Sequence, residues 1–202
     1  MNDSPAGAFS TGLCYEDQLP LHWQRVAVLP APAGMLAVNR ANEHLLRNLT
    51  AIEESSRVGA SISTGADEED HAAQHELQRL EHKIDLLMEM MGQFLGAQLV
   101  LPEPLCTRIG ADFMQWDCPE AQAPLAGSRL RVEVFPDRRF PSPLVFFGTV
   151  EWTGAQGEGM RVELRYDGVS DALRGVLEKI IFRQHRRLVA QQRERQGARH
   201  SG

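Results

Sequence analysis

The stretch "RLRVEVF" (Arg129–Phe135) sets Leu130, Val132 and Val134 on one side of an extended chain and Arg129, Arg131 and Glu133 on the other. Successive side chains of a strand point to opposite faces, so this period of two marks a half-buried strand. "MRVELRY" (Met160–Tyr166) repeats the pattern, with Val162, Leu164 and Tyr166 against Arg161, Glu163 and Arg165. "LVFFGTVEW" (144–152) reads as a more fully buried strand, and "RIGADFMQW" (108–116) as another single strand. "LAGS", "FPDRRFPSP" and "TGAQGEG" supply the turns between them. Short strands at this spacing predict a compact antiparallel barrel or sandwich. Asp167-Gly168 leads out of the last strand, and Ser170 is placed to cap a helix. On that helix Leu173, Val176, Leu177, Ile180 and Ile181 form a stripe able to cover the barrel.

Upstream of Pro102 the period is helical. Residues 1–30 are punctuated by Pro and Gly and hold one strand in "LHWQRVAVLP", where Trp23, Val26 and Val28 are good strand formers. Residues 31–57 read as a helix with Val38, Ala41, Leu45, Leu49 and Ile52 on one face. Residues 58–70, small, polar and acidic, read as a flexible linker. A heptad segment fills 71–98, and 99–202 holds the barrel, its C-terminal helix and a basic tail. The fold class is therefore α+β: a small antiparallel β-barrel with a C-terminal helix and inserted helices that include a coiled coil.

In the heptad segment Leu77, Ile84 and Met91 occupy a positions and Leu80, Leu87 and Phe94 occupy d positions, without a skip. The competing reading is an amphipathic helix packed on its own barrel. Polar Glu76, Gln78, Arg79, Glu81, His82 and Lys83 make the first half too narrow for that. At 1.5 Å per residue the segment spans about 40 Å, longer than a small barrel is wide. Met88 and Leu95 at e, with Met90 at g, broaden the second half into a face that higher assemblies bury. Ile84 and Leu87 alone favour a dimer, whereas Glu76 and Glu81 would repel across a parallel one. The expected partner is the chain itself, as a tetramer in preference to a dimer, with Leu77, Leu80, Ile84, Leu87, Met88, Met91 and Phe94 as the oligomerisation residues.

The 202 residues are 43% apolar and 24% charged, with a net charge of −6, enough for one medium domain. No apolar run approaches a membrane span, and the N-terminal stretch lacks the charge and apolar core of a secretory signal. Three cysteines, Cys14, Cys106 and Cys118, suit a reduced, cytoplasmic protein. Charge is uneven: residues 53–70 are acidic, while Lys179, Arg183, Arg186, Arg187, Arg193, Arg195 and Arg199 face only Glu194. Such a tail can bind nucleic acid, but a solvated helix end is the favoured reading because no nucleic-acid-binding motif accompanies it.

Few residues suggest chemistry. His71 and His75 have the spacing of two metal ligands but lie at outward heptad positions with no evident third ligand. Cys106 reads as a small core residue on a strand rather than a nucleophile. No nucleophile elbow, Walker loop or dinucleotide fingerprint occurs. The chain is expected not to be an enzyme, and no metal or cofactor is implied.

"CTRIGADF", "PLAGSRLRVEVF" and "VELRYDGVSDALRGVLEKIIFRQHRR" together resemble the PilZ domain, a small barrel with a C-terminal helix used in bacterial cyclic diguanylate signalling. "YEDQLPLHWQRV" and the helices after it resemble the atypical, gammaproteobacterial branch, in which helices separate the first strand from the rest. The resemblance implies a ligand grip from RxxxR ahead of the barrel and from [DN]xSxxG. Here Gly110 matches the Gly and Thr107 stands at the Ser, but Leu105 replaces the Asp or Asn. No RxxxR precedes the barrel; Arg183 and Arg187 have that spacing only on the C-terminal helix. Two lost guanidiniums remove charge-assisted bonds worth roughly 1.5 to 3 kcal/mol each. The resemblance thus implies a signalling adaptor that binds protein partners without standard cyclic diguanylate affinity. Thr107, Arg108 and Gly110 form a nucleotide-binding remnant, and a receptor with a noncanonical site there is the alternative. Nucleic-acid binding through the tail is a further one.

Overall fold

The computed structural model describes residues 12–58, 79–80, 83–84, 87, 101–137 and 142–200, with side chains omitted for 52–58 and 188–200. Six strands are present: β1 (Tyr15–Arg25), β2 (Pro104–Ile109), β3 (Phe113–Cys118), β4 (Arg129–Val134), β5 (Leu144–Gln156) and β6 (Gly159–Tyr166). They close into an antiparallel barrel in the order β1-β2-β3-β6-β5-β4. Helix α1 (Pro32–Val58) follows β1, and α2 (Asp171–His200) follows β6. No helix among the described residues is long and apolar enough to cross a membrane.

The two alternating stretches behave as their period demands. Leu130, Val132, Val134, Val162 and Leu164 are fully buried, and Tyr166 stacks on Phe146 with ring centroids 4.5 Å apart. Each such aliphatic side chain removed from water contributes about 1.5–3 kcal/mol. Leu173, Leu177 and Ile181 of α2 join this core, and Ser170 Oγ accepts the Leu173 N–H at 3.2 Å, as an N-cap does.

Four expectations change. "RIGADFMQW" is two strands, not one: the Gly110 N–H donates to Phe113 O at 2.9 Å and the chain reverses there. The first strand ends at Arg25, so Val26 and Val28 lie beyond it, and Val28 is 79% exposed. Glu163 is buried on the outer face of β6, where Gln115 Nε2 donates to its Oε2 at 2.9 Å. The inner face of α1 carries Asn39, Asn42 and Leu46 as its most buried residues, with Val38, Leu45 and Leu49 half-buried and Ala41 exposed.

Those asparagines do backbone work. β5 pairs with β6 only as far as Gly148↔Tyr166, and one further bond runs from the Asp167 N–H to Phe147 O. At Val145 the ladder is continued by Asn42, whose Nδ2 donates to Val145 O at 2.7 Å while Oδ1 accepts the Val145 N–H at 2.9 Å. The side-chain amide thus replaces a neighbouring peptide. Asn39 Nδ2 donates to Gly168 O at 2.8 Å, at the turn where Gly168 takes φ +74°. That left-handed conformation is readily open only to glycine.

Candidate ligand remnant and interaction surfaces

β1 delivers Glu16 and β2 delivers Arg108 as directly opposed residues on the outer face of the barrel. Arg108 Nε and Nη2 donate to Glu16 Oε2 and Oε1 at 2.8 and 3.3 Å. Hydrogen bonding from Arg108 holds the Glu16 carboxyl below its ordinary range, against a smaller opposing effect of burial. Thr107 points the other way: it is fully buried, and its hydroxyl donates to Leu105 O at 3.0 Å. Gly110 packs beneath the Phe113 ring, where a Cβ would stand 2.5 Å from Cε1. The three residues expected to form a nucleotide-binding remnant lie within four positions of one another but turn to different surroundings.

Three other strand arginines are also set against carboxylates. Arg161 grips Asp117 in a two-pronged contact at 2.7 and 2.8 Å. Arg165 meets Glu151 at 2.5 Å and Arg131 meets Glu133 at 2.6 Å. Glu151 and Trp152 sit at a bulge where the β5–β6 register shifts, which turns both outward. Cys106, expected in the core, is half-buried on the outer face with its thiol donating to Glu16 Oε1 at 3.6 Å. Burial first, and then the Glu16 charge, push that thiol up, away from a reactive thiolate.

Cations gather instead where α1 meets α2. Arg183 Nη2 donates to Thr50 Oγ1 at 3.1 Å, and Arg187 Nη1 to Gln184 Oε1 at 3.4 Å. Of the RxxxR pair, Arg183 thus reaches across to the first helix, while the Arg187 bond stays within α2. The tail continues as helix to His200. No group of His, Cys, Asp or Glu able to hold a metal is found among the described residues.

Of the heptad stripe, Leu80, Ile84 and Leu87 are described: all three are helical, and they are 52%, 55% and 61% exposed. Leu77, Met88, Met91 and Phe94 lie outside the described residues, as do His71 and His75.

A family model described as "Atypical PilZ domain, cyclic di-GMP receptor" matches residues 46–194. The chain belongs to the atypical PilZ family. A solved structure from Xanthomonas campestris, described as a tetrameric PilZ domain self-assembled via an unusual helical bundle, is 21% identical. It aligns with a TM-score of 0.66 over 90% of this chain and 93% of that one. The Bacillus subtilis inhibitor of motility is 14% identical over 41% of each chain, with a TM-score of 0.35, too low to carry an argument. The comparison with curated proteins found no match. In this PilZ protein the matched segment begins inside α1, so β1, which closes the barrel between β2 and β4, lies ahead of it.

Sequence reasoning missed Glu16 as the partner of Arg108, because nothing local ties residue 16 to residue 108. It also missed Asn39 and Asn42, whose signal was two asparagines set within an otherwise apolar helix face.

Proposed function

We propose that this PilZ protein is an oligomeric adaptor in cyclic diguanylate-linked regulation, assembled through the heptad segment 71–98 and engaging protein partners in the cytoplasm through barrel and tail. The observation that carries this reading is the exposure of Leu80, Ile84 and Leu87 at consecutive d, a and d positions of a helical segment. Apolar side chains in that register, left uncovered, are what a coiled-coil seam presents to another copy. Leu77, Met88, Met91 and Phe94 complete the seam, and the broadened flank favours four copies over two. The tetrameric, helical-bundle assembly described for the Xanthomonas protein supports the same choice. Light scattering of the wild type beside Leu80→Asp/Leu87→Asp tests it: the double variant drops to the mass of one chain, and an unchanged mass ends the reading.

The ligand side of the proposal is that standard cyclic diguanylate binding is absent. Thr107 faces the interior, Arg108 is engaged by Glu16, and the two arginines of a preceding RxxxR are missing. The family's description as a cyclic di-GMP receptor favours the other reading, a receptor with a noncanonical site. Calorimetry with the dinucleotide decides between them: dissociation constants of micromolar or tighter assign the receptor role.

A further inference from the structure

The described chain begins at Gly12, in the wall of a pocket of about 550 Å³. Gly12 and Leu13 line it together with Phe113 at the start of β3 and with Ile181 and Phe182 from α2. Backbone hems in the buried Phe113 ring: a Cβ on Gly12 would stand 3.4 Å from its Cε1, and one on Gly110 2.5 Å from it. Two glycines thus let the main chain lie against the ring. Leu13 and Phe182, by contrast, are 54% and 56% exposed. Large apolar side chains left half in water gain free energy when another apolar group covers them. The charged lining residues, Asp112, Glu178 and Lys179, carry both signs, and Asp112 is held by Arg174 at 2.7 Å. Such a rim selects no ion, so the guest it suits is apolar.

We propose that this pocket is the docking site of the chain's own N-terminal segment, with the Phe9 ring seated against Phe113 and Phe182. Residues 1–11 lie outside the described residues; Phe9 is singled out by its sequence and its reach. It stands three residues ahead of Gly12, a span that extended chain covers in about 10 Å. Its neighbours Ala6, Gly7, Ala8, Ser10 and Thr11 are all small, so the backbone can follow the surface closely while a single ring projects. A tether that short holds the ring at an effective concentration on the order of millimolar, an advantage that no separate partner has. Closing so small a loop also costs little chain entropy. The volume lies within the range of roughly 300–1,000 Å³ common to sites that enclose a small guest, ample for a phenyl ring. Rings brought together there can pack edge to face or offset, as aromatic pairs prefer. Once docked, the segment straps the start of β1 to α2, the first and last of the described elements. The proposal is independent of the assembly reading and of cyclic diguanylate.

The experiment is photocrosslinking of the full chain with p-benzoylphenylalanine in place of Phe9, read by mass and by peptide mapping. Irradiation is expected to join residue 9 to 111–113 or 178–182 within one chain, so the product keeps the mass of a single chain. Phe182→Glu, at an exposed helical position that leaves the fold intact, sets a charge in the pocket wall and lowers that yield about tenfold. Leu125→Glu, 69% exposed in the turn before β4, leaves it unchanged. A product with the mass of two chains assigns the pocket to a second copy and overturns the proposal. Crosslinks centred on other residues overturn it too, as does a yield that Phe182→Glu does not reduce. If no crosslink forms, the natural ring decides. Phe9→Ser then raises the fluorescence of the apolar dye ANS severalfold, and adding Phe182→Glu removes the gain; unchanged fluorescence, or a gain that survives Phe182→Glu, overturns the proposal.

Discussion

Tyr166 closes β6 with its ring stacked on Phe146 and its hydroxyl buried without a hydrogen-bond partner among the described residues. Burial foremost, with Asp112 nearby, raises its pKa well above the ordinary 10.0. The folded protein therefore holds the phenol neutral while the unfolded chain ionises it near 10.0, so stability falls as pH rises past that value. Tyrosinate absorbance at Tyr166 is expected to appear together with alkaline unfolding, and Tyr166→Phe to remove that component of the pH dependence. Near neutral pH the same substitution leaves stability unchanged or raises it by up to about 1 kcal/mol, because no described hydrogen bond is lost. Gly110 behaves differently. Gly110→Ala drives a methyl into the Phe113 ring, and chemical denaturation should read a loss of about 1–3 kcal/mol from overpacking. Glu16→Gln, at a half-exposed ion pair, should cost under about 1 kcal/mol. The Gly110 match to the ligand motif thus has a packing reason of its own, which the motif pattern could not reveal.

The two alternating strands were legible because one face is buried, and the period of two records that directly. The β2–β3 turn was missed because β3 is buried on both faces, with Phe113, Met114, Gln115 and Trp116 all buried, so no clean period of two marks where one strand ends and the next begins. The face of α1 was misassigned for a physical reason: it packs partly on exposed backbone at the end of β5, where an amide serves better than an alkyl chain. Asn42→Ala removes both bonds to Val145 and leaves its N–H and C=O without those partners. Thermal or denaturant unfolding should register a loss of about 2–3 kcal/mol, several times that of an exposed substitution such as Arg129→Gln.

For the whole molecule, the barrel class and the capping helix were readable from pattern alone, and the order of strands around the barrel came only with the structure. Pairings such as Glu16↔Arg108 and Trp23↔Val132 join residues far apart in sequence, and neither propensity nor spacing carries that information. The proposed assembly through the heptad segment has a thermodynamic signature as well as a mass. When folding is linked to association, the melting temperature rises with protein concentration. That rise is expected for the wild type and absent in Leu80→Asp/Leu87→Asp.

The placement of β1 also bears on how the chain is made. Of the six strands β1 is synthesised first, yet its two neighbours are residues 104–109 and 129–134. Until both have been synthesised the first strand keeps at least one bare edge, a template for wrong pairing. Ring closure then spans a long separation, so refolding should be slow, in the millisecond-to-second regime of non-local β topologies rather than that of helical bundles. A nascent or truncated chain ending before residue 129 holds β1 with one edge permanently open, and that fragment is where aggregation should begin.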